Sequence, residues 1–138
     1  MGLDLTLYEP RQDVFGRPIK DEPIEDFHPG SYSGFGDFRK YLALSVGIVL
    51  GDMFGFGGAT EWDSVDPYVE LLDHSDCDGD IGWYAFEELL KDFTPENREL
   101  FIKTVGSDGD AEYYLRKWDM WKHIAERCVE VKGIVRFH

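Results

Sequence analysis

The sequence predicts a single α+β domain, mostly helical, with a small sheet that pairs its first and last strands. Three observations carry that reading. Leu3-Asp4-Leu5-Thr6-Leu7-Tyr8 alternates apolar and polar residues, the period-two mark of a half-buried strand. Residues 134–138 (IVRFH) repeat that pattern, so Val135 and Phe137 can face the same core as Leu3, Leu5 and Leu7. Between them, apolar residues recur at helical spacing. With 138 residues, 43% of them hydrophobic, and 10 Phe, 7 Tyr and 4 Trp, the chain can fill one core, and residues 1–138 are read as one domain.

Residues 10–36 hold four of the six prolines and no clear periodicity, so they read as a long irregular loop or arm. Asp37 is the expected N-cap of a helix with Phe38, Tyr41, Leu42, Ser45 and Val49 along one face. Residues 41–50 (YLALSVGIVL) read as buried helix, too short to span a bilayer. Residues 51–58 (GDMFGFGG) break it, because four glycines in eight positions cannot sustain a helix. Asp66-Pro67 suggests an N-cap followed by proline at the first helical position, with a short helix through Leu72.

Trp83, Phe86, Leu89, Leu90 and Phe93 mark the next helix, and Thr94-Pro95-Glu96 starts another, running to about Val105. From Ala111 to Val131, the residues Tyr114, Leu115, Trp118, Trp121, Ala125, Cys128 and Val129 form a wide apolar stripe that Gly133 ends. Trp62, Trp118 and Trp121 are expected in the core.

Composition narrows the partners. A formal charge of −14 disfavours nucleic acid and anionic membranes and favours cations or a basic protein. Cys77 and Cys128 are the only cysteines, and no basic stretch precedes an apolar one near Met1, so the reading is a cytoplasmic protein with reduced thiols. Met1-Gly2-Leu3-Asp4-Leu5-Thr6 also fits the loose myristoylation pattern, but is read as strand.

Two segments qualify as sites. The first is the acidic stretch within residues 71–88 (LLDHSDCDGDIGWYAFEE). Set against a calcium-binding helix–loop–helix, Asp76, Asp78, Asp80 and Glu87 fall at positions 1, 3, 5 and 12, a full carboxylate set. Ile81 then occupies the place that needs glycine, and Gly82 comes one residue late. Anchoring on Gly79 instead puts His74 and Ala85 at the first and last ligand positions, which neither fills. The simpler reading is an Asp-rich turn in which Asp78 or Asp80 caps the helix that starts at Trp83. Zinc is disfavoured because His74, Cys77 and the other histidines lack close ligand spacing. Cys77 as a nucleophile with His74 as base is disfavoured by the adjacent acids, which raise a thiol pKa. The second candidate is Ser31, Tyr32, Ser33 and Phe35, hydroxyls and one aromatic anchor in a segment read as a binding loop, or more plainly as a turn feeding the next helix.

These same residues carry a resemblance. Gly30-Ser31-Tyr32-Ser33-Gly34-Phe35 with Phe38-Arg39, then Leu71-Leu72, Ser75-Asp76-Cys77-Asp78-Gly79 with Ile81-Gly82, Leu90-Lys91-Asp92-Phe93 and the closing Val135-Arg136-Phe137-His138, are similar to a family of small uncharacterised proteins of bacterial and bacteriophage genomes. The resemblance covers most of the chain from Gly30 onward and implies no activity. Charge, size, the cytoplasmic reading and the lack of a catalytic constellation lead to the expectation of a non-catalytic, immunity-like interaction protein that binds a basic partner, such as a toxin or nuclease, and needs no cofactor. The alternative is a protein that binds calcium or another divalent cation through the loop from Asp76 to Glu87.

Overall fold

The computed structural model describes residues 2–9, 22–74, 79–106 and 108–138. Strand β1 (Gly2–Glu9) is followed by β2 (Glu22–Ser31), α1 (Tyr32–Ser45), a 3-10 turn (Leu50–Asp52) and α2 (Val69–Leu72). Then come β3 (Asp80–Gly82), α3 (Trp83–Leu90), α4 (Pro95–Val105), α5 (Ala111–Val131) and β4 (Ile134–Phe137). The four strands form one antiparallel sheet in the order β2-β1-β4-β3.

The first and last strands pair as their periodicity requires. Leu5 lies opposite Phe137 and Leu7 opposite Val135, and all four are buried. The ladder continues past β4, with the Asp4 and His138 backbones exchanging bonds of 3.2 and 2.9 Å. Thr6, Arg136 and Asp80 alternate on the opposite, polar face, and Thr6 bonds both Asp26 and His138 at 2.8 Å. The apolar face packs on the helices. Trp121 of α5 stacks on Phe137 with ring centroids 5.9 Å apart, and Phe27 of β2 meets His123 edge-on at 6.3 Å.

The reading of residues 10–36 as an irregular arm is corrected over its second half. Residues 10–21 lie outside the described residues, but Glu22–Ser31 is a ten-residue strand and α1 already begins at Tyr32. Proline cannot donate to a ladder, and β2 tolerates Pro23 and Pro29 because it is the edge strand. Register shifts along β1 and β2 disrupt strict alternation. The cap of α1 is Ser31, not Asp37: its Oγ accepts from the Gly34 amide at 3.0 Å. Nor is 41–50 continuous buried helix. Helix α1 stops at Ser45, and Leu44 and Val49 are 50% and 55% exposed.

Elsewhere the local signals hold. Thr94 caps α4 through the Asn97 amide at 3.1 Å with Pro95 next, and α5 runs from Ala111 to Val131 with Trp118 and Trp121 buried. Trp62 is only half-buried, edge-on to Phe56. The turn after α5 is left-handed at Lys132 (φ 51°), not at Gly133. Gly133 serves close approach instead, since a Cβ there would stand 2.5 Å from the Tyr8 carbonyl oxygen. Among the described residues, no helix is long and apolar enough to cross a membrane.

Candidate functional site: the outer face of α1

The acidic loop is placed only in part. Ser75, Asp76, Cys77 and Asp78 lie outside the described residues. Asp80 opens β3 directly opposite Arg136 of β4, and the guanidinium grips it, with Nε donating to Oδ1 at 3.0 Å and Nη2 to Oδ2 at 3.4 Å. Asp80 is therefore a cross-strand ion-pair partner and not the cap of α3. The cap position belongs to Gly82, which has no side chain to offer, and the Trp83 amide bonds the Gly133 carbonyl at 2.9 Å. Glu87 is exposed on α3. Among the described residues, no three His, Cys, Asp or Glu side chains gather as metal ligands would.

The segment read as a binding loop is ordered by its neighbours. Ser31 Oγ lies 3.2 Å from Ser33 Oγ, and the Tyr32 hydroxyl donates to the His138 carbonyl at 3.4 Å. Phe35 is not a solvent-facing anchor. It is 2% exposed, stacked on Trp121 at 5.4 Å, with the Arg39 guanidinium 4.4 Å above its ring. Arg39 is itself buried and donates to the Leu72 and His74 carbonyls at 3.4 and 2.5 Å, tying α1 to the start of the acidic stretch. Ser31 and Ser33 remain at the surface.

From Ser33 a strip of exposed side chains runs along α1: Ser33, Asp37, Lys40 and Leu44, spaced four, three and four residues apart. That spacing lays them on one helical face. Three hollows adjoin this strip and a fourth continues from them, each sharing lining residues with the next. The first, about 270 Å³, lies between the cap Ser31 with Ser33 and Asp37 of α1 and Asp110, Tyr113 and Tyr114 at the start of α5. Asp37 and Tyr114 also line the second, about 310 Å³, with Lys40, Tyr41, Leu44 and Asp108. Lys40 and Leu44 continue into an apolar third of about 270 Å³, closed by Ile48, Val49, Leu50 and Phe56. Ile48 and Val49 border the fourth, about 340 Å³, whose wall includes Asp52, Glu61, Asp63 and Asp66.

Local chemistry fixes both ends of this band. At the α5 end, Gly30 and Gly34 allow α5 to approach, because a Cβ on either would stand 2.7 or 2.8 Å from the Tyr113 hydroxyl. Tyr41 donates a short hydrogen bond to Asp108, whose other oxygen accepts from the Asp110 amide at 2.8 Å. The bond from Tyr41 holds the Asp108 carboxyl below the usual carboxylate range, and the same bond pushes the Tyr41 phenol up to about 12. Burial, then the charges of Asp37, Asp108 and Asp110, raise the Tyr114 phenol. Burial, then Arg116, lowers the Lys117 ammonium.

At the other end the glycine-rich segment folds back on itself. The Phe54 amide bonds the Thr60 carbonyl at 2.7 Å, the Thr60 amide bonds the Asp52 carbonyl at 3.0 Å, and Trp62 Nε1 donates to the Phe54 carbonyl at 3.1 Å. Phe54 is left 65% exposed. Asp66 accepts from the Asp63 amide at 2.8 Å, closing a turn rather than capping a helix; α2 starts later, at Val69, after a left-handed Tyr68 (φ 59°).

Sequence reasoning missed this face because it assigned residues 41–50 to the interior. The available signal was the spacing of Ser33, Asp37, Lys40 and Leu44 set against the buried set Phe35, Phe38, Leu42 and Ser45. Comparison of the chain with models of known families, with curated proteins and with solved structures gives no match.

Proposed function

We propose that the protein is a non-catalytic, acidic interaction domain that acts in the cytoplasm and covers the surface of a basic protein partner, such as a toxin or nuclease. The observation that supports it best is the continuity of the apolar hollow with the carboxylate-walled hollow, which share Ile48 and Val49, in a chain of net charge −14. Apolar contact area lined by Lys40 and adjoining a wall of four acidic residues suits a partner that brings apolar residues beside cations. Catalysis finds less support. Burial pushes the Cys128 thiol up to about 11, which leaves it unreactive, and the His74 ring packs on Phe137 with centroids 4.2 Å apart.

The test is kinetic. A partner captured from the native host should associate at up to ~10⁸ M⁻¹s⁻¹ at low salt and much more slowly at physiological salt. An on-rate that is flat across that range rejects the reading, as does tight binding of duplex DNA at physiological salt.

A second reading, a divalent-cation loop using Asp76, Asp78, Asp80 and Glu87, draws on one observation. Gly79 is left-handed (φ +93°) and is followed at once by β3 and α3, the turn–strand–helix order of a calcium loop, although the turn comes two residues before Ile81, which holds the glycine position of this ligand set. Calcium would then have to compete with Arg136 for Asp80. A rise in melting temperature with millimolar calcium that Glu87→Gln abolishes would support this reading; no rise rejects it.

A further inference from the structure

Resting on the partner-binding reading and adding to it the chemistry of the partner, we infer that the cleft between α1 and the start of α5 is a seat for an arginine side chain. The guanidinium lies against Tyr41 and Tyr114 and between Asp37 and Asp110, while an apolar residue of the same partner segment covers Leu44 in the adjoining hollow.

Apart from Lys40, which the three carboxylates of the cleft outnumber, the walls are those a cation selects. The Tyr41 and Tyr114 rings stand 5.0 Å apart and tilted by 57°, so they form a corner and not a closed stack. Ring faces attract cations, and a planar guanidinium stacks on them better than an ammonium does. The neighbouring ring supplies an internal precedent: Lys117 already lies 4.9 Å over Tyr113. Asp108 is engaged by Tyr41 and by the Asp110 amide. The Asp110 side chain makes no capping bond to α5, and Asp37 is exposed on the strip, so these two carboxylates face the cleft with acceptor capacity to offer.

Geometry sets the spacing of the occupant. Asp37 and Leu44 are seven residues apart on α1, about 10 Å at 1.5 Å per residue. A partner segment therefore needs its arginine and its apolar residue about 10 Å apart on one face, which is three residues of polyproline II chain or two turns of helix. Charge complementarity with the opposite end, where Asp52, Glu61, Asp63 and Asp66 stand, favours further cations beyond the apolar residue.

The probe is a synthetic peptide, acetyl-Gly-Leu-Ala-Ala-Arg-Gly-amide, titrated into the whole protein carrying ring-labelled tyrosine and read by NMR. Saturable shifts of the Tyr41 and Tyr114 ring signals are expected. Citrulline in place of arginine should abolish them. Asp37→Asn and Asp110→Asn should each weaken binding by about fivefold or more, because each removes the charge from a hydrogen bond to the guanidinium. Leu44→Ser should weaken it by about threefold or more, since only the exposed half of that side chain remains for the peptide to cover. Absence of shifts at about 20 mM peptide, a range in which even the weakest specific binding registers, overturns the seat. So do equal shifts with citrulline, or affinities that the two Asp variants leave unchanged. The two claims fail separately. A captured basic partner whose salt-dependent association is indifferent to Asp37→Asn and Asp110→Asn overturns the arginine seat alone. A flat salt dependence alongside normal peptide binding overturns the partner reading alone.

Discussion

Helix α1 carries two stripes of the same periodicity and opposite fate. Phe35, Phe38, Leu42 and Ser45 point inward and are at most 9% exposed, whereas Ser33, Asp37, Lys40 and Leu44 point outward. The inner stripe meets partners that fill every direction: Trp121 and Phe137 around Phe35, and Phe101 edge-on to Phe38 at 5.7 Å. The outer stripe meets hollows. Equal spacing thus marks which residues share a face, but not whether the fold supplies anything to cover that face. The inner stripe sustains the domain, and the outer one is where a second molecule would contribute what the chain itself does not.

The largest effect should come from removing residues 134–138. Strand β4 sits between β1 and β3, so its loss strips Phe137 and Val135 from the core, leaves β3 without a partner strand and bares one edge of β1. The truncated chain should fail to show a cooperative melt; a parent-like transition would break the claim that the inner stripe depends on the sheet. Next comes Phe35→Ala, which should cost about 3–5 kcal/mol in denaturant unfolding, as for other buried aromatic truncations. A cost below about 1 kcal/mol would mean that the two stripes of α1 are not so different after all.

A smaller, pH-dependent effect sharpens the contrast between complete and incomplete burial. Burial raises the carboxyl groups of both Glu70 and Asp92, and Glu70 Oε2 is buried with no hydrogen-bond partner. Groups raised in the fold contribute stability that is present below their ordinary values, 4.5 for Glu70, and lost as pH rises through the folded ones. Glu70→Gln should therefore raise the melting temperature by about 1–3 °C at pH 7 and by nothing near pH 4. A gain that is the same at both pH values would point to packing, not charge. Smallest of all, Leu44→Ser should change stability by less than about 0.5 kcal/mol, since its outer position gives up little on truncation.

Much of the fold was legible in the sequence because its longest elements have unmixed patterns. The Leu3-Leu5-Leu7 alternation and the Trp118-Trp121-Cys128 stripe each meet one environment along their length. Strand β2 was illegible because an edge position forgives the prolines that usually exclude a strand. The start of α1 was obscured by Gly34, which reads as a loop residue but is needed where Tyr113 packs against the first turn. Asp80 was misassigned since its partner, Arg136, is 56 residues away, and only the β3–β4 register brings them together. The band on the outer face of α1 was hidden for a related reason. Its walls come from α1, the glycine-rich segment and the start of α5, which no local window joins.

The order β2-β1-β4-β3 also has a kinetic meaning. The pairing of Leu5 with Phe137 closes 132 residues of chain, while α4 and α5 are neighbours in sequence and pack together. Loop closure must be met before such a pair returns any favourable free energy. The helices can therefore condense first, with α4 and α5 leading, and the sheet locks in last as β4 slides between β1 and β3. Substitutions at Leu5 or Phe137 should consequently speed unfolding and leave the folding rate nearly untouched, so the pairing that holds the two ends of the fold together acts as its clasp and not as its nucleus.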